Sequence, residues 1–108
     1  MSPQARYLTH VLEAYQKLPG TLGRVLRQDR KVALDLYRRG VTLEVVHSAF
    51  VLALARRAFR AGNDDLEPIR CLSYFVPVVE ELIQEPPLPE YLDYLRTKLV
   101  TAGLLESA

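Results

Sequence analysis

The 108-residue sequence has no tryptophan, one cysteine and one methionine, and no long uninterrupted apolar run. With the single thiol of Cys71 the chain forms neither an internal disulfide nor a cysteine-built zinc or iron–sulfur site, which is typical of a reducing compartment. No stretch approaches the roughly 18 apolar residues of a membrane span, and the N-terminus lacks the pattern of a secretory signal. The sequence therefore predicts a cytoplasmic protein with no membrane association.

The composition is that of a folded globular chain. Hydrophobic residues make up 49% of the sequence and charged residues 25%, which argues against disorder. A chain of this length has apolar residues for one core, so we predict a single domain over residues 1–108. No internal repeat or low-complexity tract divides it.

Apolar residues recur at three- and four-residue steps, which predicts helices in the first half of the chain. Ser2 is expected to cap a first helix that ends at Pro19-Gly20. Residues 21–28 are expected to form a short turn or a half-formed helix, after which Asp29 caps a second helix ending at Gly40. Thr42 is expected to cap the longest helix, which runs to about residue 61 and is apolar nearly all round, so that it should be central.

The second half of the chain is also predicted to be helical, with interruptions at prolines. A helix is expected to start near Pro68, and Pro77 within residues 69–84 predicts either a kink or two short helices. Prolines hold residues 86–89 as an extended connector, and a C-terminal helix is expected over residues 90–103. No strand alternation is evident. The fold class is therefore all-α, a compact bundle of five to six helices.

The charges are unevenly distributed along the chain. Residues 1–62 contain 11 Lys and Arg against 4 Asp and Glu, whereas residues 63–108 contain 3 against 9, so the net charges are +7 and −6. A one-signed surface attracts phosphate backbones or acidic proteins, whereas folding that pairs the two halves would neutralise it. If the surface is free, the expected contacts with DNA phosphates come from Arg24, Arg27, Arg30, Lys31, Arg56, Arg57 and Arg60.

Residues that could support catalysis or bind a metal are few. Glu44 and His47 form one Glu-x-x-His pair, but a carboxylate-bridged di-metal site requires that pattern twice. Without strands there is no glycine-rich phosphate loop after a strand and no nucleophile elbow. We therefore predict a non-enzymatic protein with no catalytic residue, metal or cofactor.

The aromatic residues divide into two groups. Five follow the apolar helix faces and are expected mostly in the core, namely Tyr7, Tyr15, Tyr37, Phe50 and Phe59. A later group lies near prolines, where the rings either pack on the proline segment or contact a partner. The partner-binding residues predicted from this second group are Phe75, Tyr91 and Tyr94.

Several of these signals occur in an order that resembles the C-terminal helical domain of DnaD-type primosomal proteins. They are Tyr15, the Arg-flanked turn to Asp29, the helix end Gly40-Val41, the start Glu44-Val45-Val46 with Ala49, and Tyr74-Phe75-Val76-Pro77-Val78. The last segment corresponds to a Tyr-x-x-x-Ile motif of that domain, with Val78 in the place of Ile. The resemblance covers about residues 7–84.

The resemblance implies a helical module of replication initiation or helicase loading that contacts DNA through the tyrosine motif, hence through Tyr74, and through neighbouring basic residues. The expected partners are DNA bound without sequence preference and a replication protein. The alternative is a protein-interaction or oligomerisation module without DNA contact, which includes association of the chain with itself. A salt titration tests DNA binding, because phosphate binding weakens steeply as salt rises. Association of the two charged halves between molecules also weakens with salt, so salt that abolishes self-association but not DNA binding distinguishes the two.

Overall fold

The computed structural model describes residues 1–60 and 67–105, and its regular elements within those ranges are all helical. The elements are α1 (Pro3–Lys17), α2 (Arg27–Arg38), α3 (Leu43–Phe59), α4 (Val76–Gln84) and α5 (Pro89–Thr101), with a short 3₁₀ helix (Leu72–Phe75) directly before α4. The predicted all-α class is confirmed.

Local capping signals place the ends of the first three helices. The Ser2 hydroxyl accepts a hydrogen bond from the Ala5 N–H at 3.1 Å, and the Thr42 hydroxyl accepts one from the Val45 N–H at 3.2 Å. At the end of α2, Gly40 adopts φ +76°, and the Val41 N–H donates to the Leu36 carbonyl at 3.1 Å. Only glycine adopts that backbone conformation without steric cost, so the predicted stop at Gly40 is confirmed.

Helix α3 lies at the centre and packs against α1, α4, α5 and the 3₁₀ helix. Seven consecutive residues, 49–55, are buried, as the nearly all-round apolar pattern predicted. The helix ends at Phe59, somewhat before the predicted end near residue 61. The glycine stop predicted at Gly62 and the loop predicted for residues 63–65 lie outside the described residues.

The start of α2 differs from the prediction. The helix begins at Arg27 and Leu26 is its N-cap, so the prediction that Asp29 caps it is wrong. Asp29 lies in the first turn, fully buried, and its carboxylate accepts hydrogen bonds from the Leu26 N–H at 2.8 Å and the Leu72 N–H at 2.9 Å. The second bond explains the shift, because a carboxylate inside the first turn reaches the 3₁₀ helix 43 residues away in sequence.

The helix expected near Pro68 is also absent from the described part of the segment. Ile69 is extended and buried, and its N–H donates to the Gly20 carbonyl at 2.7 Å in an isolated parallel bridge. Pro77 lies in the first turn of α4, where its missing N–H has no helical partner to lose. Of the two alternatives for Pro77, two short helices are therefore correct.

The last helix, α5, begins at Pro89 and ends at Thr101, within two residues of the predicted limits, and packs on α3 through buried Leu95 and Leu99. At the other side of α3 the rings of Tyr15 and Phe50 meet Phe75 edge-on at centroid distances of 6.1 and 4.8 Å.

The burial of two aromatic residues differs from the prediction. Phe75 is 1% exposed, so its prediction as a partner-binding residue is wrong: the 3₁₀ helix turns its ring into the core. Phe59 is 42% exposed, so its place in the predicted core is also wrong. It is the last residue of α3, beyond the buried run that the neighbouring helices cover.

Candidate functional site

One exposed face of α2 bears four cations, Arg27, Arg30, Lys31 and Arg38, which we call the α2 cationic face. At about 100° per residue the four lie within an arc of about 100° on the helix. The buried residues of α2, Asp29 and Leu36 among them, lie on the opposite side. None of the four cations forms an ion pair with any residue in 1–60 or 67–105.

The carboxylates near this face are occupied or distant from its centre. Asp35, whose side chain is 67% exposed, lies 3.9 Å from the Arg39 guanidinium. Arg39 reaches Glu80 of α4 at 3.1 Å, which ties the end of α2 to α4. Arg24, in the loop before α2, is exposed and adds a further cation on the approach to the helix. The surface of α2 is therefore strongly positive.

The position of α2 depends on the buried Asp29 carboxylate. Its two backbone hydrogen bonds join the start of the helix to the 3₁₀ helix, and α1 covers much of the remaining buried side. Tyr15 of α1 lies nearby. Burial, together with the Asp29 carboxylate and the Cys71 thiol, raises the pKa of Tyr15 to about 12. This buried contact turns the cations of α2 outward.

The arginines of α3 are in a different situation. Arg56 donates two hydrogen bonds to the Glu81 carboxylate of α4, at 2.8 and 2.5 Å. These bonds raise the pKa of Arg56 and lower the pKa of Glu81. Arg57 donates to the Glu67 carbonyl and packs over Gly20. Two of the three arginines predicted on this helix are thus engaged within the chain.

Tyr74 lies beside the α3 arginines and not beside the α2 cationic face. Together with Arg56, Arg57 and Arg60 it lines a cavity of about 260 Å³. Its ring is half-exposed and meets Phe75 edge-on at 5.1 Å. The residues predicted to contact DNA therefore form two groups, one on α2 with Arg24 and one at the end of α3 with Tyr74.

A second concave surface separates α3 from α5. We call it the α3–α5 groove; its volume is about 490 Å³, and its exposed lining is Arg56, Phe59, Arg60, Tyr91, Tyr94 and Lys98. The Lys98 ammonium lies 4.4 Å from the centroid of the Phe59 ring and 5.5 Å from that of Tyr94. Such cation–π contacts stabilise the cation over the rings.

Tyr91 and Tyr94 of this groove were predicted as partner-binding residues, whereas Phe59 was predicted in the core and Lys98 was not singled out. The spacing of Tyr94 and Lys98, four residues apart on one helix, is a signal that could have identified the lysine. The contact with Phe59 joins two helices whose residues are 39 positions apart, and no local pattern predicts it.

Among the described residues no three His, Cys, Asp or Glu side chains come together as a metal would require. None of the helices in the same ranges has the length and apolarity to traverse a bilayer. Comparison of the chain with protein-family models, curated proteins and solved structures finds no match.

Proposed function

We propose that the protein binds DNA without sequence preference through the α2 cationic face. The observation that supports this proposal is the outward placement of four cations with no ion-pair partner within residues 1–60 and 67–105. The α3 arginines contribute less, because Glu81 already neutralises Arg56 and Arg57 is bonded within the chain.

The dimensions of α2 suit a phosphate backbone. From Arg27 to Arg38 the axis advances about 16 Å, over which one DNA strand presents about five phosphates. Lys and Arg contacts to phosphates position a protein on DNA but carry no sequence information. Binding through this face is therefore non-specific and driven by the release of counterions.

The proposed setting is replication initiation or helicase loading in the cytoplasm, in a non-enzymatic role with a replication protein as partner. This part of the proposal is supported by the sequence resemblance to the DnaD-type domain. The all-helical fold and the exposure of Tyr74 beside Arg60 are consistent with it.

The test is a fluorescence anisotropy titration of a labelled duplex at several salt concentrations. If four phosphates are neutralised, the slope of log K against log salt is about −3.6, and affinity falls about a hundredfold between about 50 and 200 mM salt. Gln at all four positions of the α2 cationic face should bring the slope close to zero. Absence of wild-type binding at about 50 mM salt would exclude the function.

A charge-neutral control comes from the α3 pair. The double variant Arg56→Gln, Glu81→Gln removes one cation and the carboxylate that holds it, so the net charge is unchanged. We expect it to keep the wild-type salt slope. A loss of slope in this variant equal to that of the α2 variant would place the phosphate contacts on α3 instead.

The second candidate function is a protein-interaction module, and the α3–α5 groove favours it. Three half-exposed rings, Phe59, Tyr91 and Tyr94, line the groove, and the Lys98 ammonium lies over two of them, Phe59 and Tyr94. Aromatic residues are enriched in the buried centres of protein interfaces. This candidate is independent of the α2 cationic face, which lies on another helix.

A further inference from the structure

We propose that the α3–α5 groove binds an acidic segment of another protein, one that carries an apolar side chain among its carboxylates. The groove presents an apolar surface for the apolar side chain and positive charge for the carboxylates. The buried side chains of Leu52, Ala55 and Leu95 form its apolar floor, and Phe59, Tyr91 and Tyr94 form its rim. Exposed cations stand among the rings.

The unpaired charge at the groove comes from Arg60 and Lys98. Neither forms an ion pair within the ranges that the structure describes, whereas Arg56 is held by both oxygens of Glu81. Arg56 therefore contributes a fixed wall and no net charge. These two cations, unpaired among the described residues, lie beside an apolar floor and are complementary to carboxylates that flank apolar side chains.

The position of Lys98 favours a carboxylate over a stacked nucleic-acid base. A base stacks on the open face of an aromatic ring. Here the Lys98 ammonium occupies the face of Phe59 at 4.4 Å and approaches that of Tyr94. The ammonium has three N–H donors, so it can donate a hydrogen bond to a carboxylate without leaving the rings.

A second copy that docks groove to groove about a two-fold axis fits poorly. Two-fold symmetry would place Arg60 and Lys98 of one copy against the same cations of the other, and like charges repel. The acidic side chains Glu80 and Glu81 of such a copy are already bound to Arg39 and Arg56 of its own chain. An acidic segment from a different protein avoids both obstacles.

The experiment uses a fluorescein-labelled acidic peptide of about three helical turns as the probe. Its Glu residues flank one Leu and one Phe placed four residues apart, so that both lie on one face of a helix. We expect anisotropy to show saturable binding that weakens about threefold for Lys98→Gln and about tenfold for Tyr94→Ala. A probe with Ala at the two apolar positions should bind the wild-type protein more weakly, by a factor similar to that of Tyr94→Ala.

Arg6→Gln on α1 is the matched control, because it also removes one exposed cation but lies in neither the groove nor the α2 cationic face. It should leave peptide binding unchanged. Both groove side chains are exposed, so the variants keep the fold, which circular dichroism checks. No peptide binding at about 1 mM, or equal weakening by Arg6→Gln, overturns the proposal.

Two further measurements separate the other occupants. If Tyr94→Ala abolishes binding of single-stranded oligonucleotide and leaves peptide binding intact, the groove is a nucleic-acid site and the proposal is wrong. If sedimentation shows a dimer that Tyr94→Ala dissociates, the occupant is a second copy. Because these readouts depend on α5, they are independent of DNA binding through α2.

Discussion

Replacing Asp29 by Ala tests the contact that positions α2. The wild-type carboxylate is fully buried and accepts two backbone hydrogen bonds, from Leu26 at 2.8 Å and from Leu72 at 2.9 Å. The Leu72 bond is itself buried, so its N–H would be left without a partner. Hydrogen bonds to charged groups contribute about 1.5–3 kcal/mol each, so we expect Asp29→Ala, which removes two, to lower the free energy of unfolding by about 3–6 kcal/mol.

The assay is urea unfolding followed by far-ultraviolet circular dichroism, with the free energy taken from the midpoint and slope. Asp29→Asn should lower the free energy of unfolding by about half as much. Its amide oxygen still accepts a hydrogen bond from one backbone N–H, whereas its NH₂ group meets the other N–H and cannot accept from it. The matched control is Asp35→Ala on the same helix. That side chain is 67% exposed and has one ion-pair contact, at 3.9 Å, so a loss below about 0.5 kcal/mol is expected.

The result that would refute this reasoning is an Asp29→Ala protein whose stability lies within about 1 kcal/mol of the Asp35→Ala control. Such an outcome would mean that the packing of Leu36 and Ala33, and not the buried carboxylate, holds α2 in place.

Two further predictions concern α1 and the turn that follows it. The raised pKa of Tyr15, about 12 against the ordinary 10, means that the unfolded chain loses this proton first. The free energy of unfolding should thus fall by about 2 kcal/mol as pH rises from 10 to 12, and less in Tyr15→Phe; equal pH profiles would contradict this. Gly20 has φ +86°, and an added Cβ would lie 3.3 Å from Arg57 Nε. Gly20→Ala should cost about 1–2 kcal/mol in thermal or urea unfolding, and more than Gly23→Ala, where φ is +74° and the space is open; the reverse order would be evidence against a role for the Arg57 contact.

Local chemistry was sufficient to predict most helix ends. Ser2, Thr42 and Gly40 act on groups within a few residues in sequence, so their effect can be predicted without the fold. The outward position of Arg27 and Lys31 was predictable for the same reason, since a helix places residues four apart on one face.

The errors involve partners that are distant in sequence. Asp29 lies in the first turn of α2 and not at its N-cap, because its carboxylate accepts a hydrogen bond from the Leu72 N–H. Ile69 is extended because its N–H donates to the Gly20 carbonyl. Phe75 faces inward because its ring fits edge-on against Phe50, whose position depends on the packing of α3. A local pattern contains no information on such contacts.

The sequence by itself determined an all-helical chain with a cationic first half, because hydrophobic period, caps and charge are properties of neighbouring residues. Only the tertiary structure decided which cations remain unpaired. Glu81 lies 25 residues from Arg56, and the packing of α4 on α3 brings the two together. The four cations of the α2 cationic face form no ion pair in the described ranges. The groove of Phe59 and Lys98 likewise exists only once α5 packs on α3.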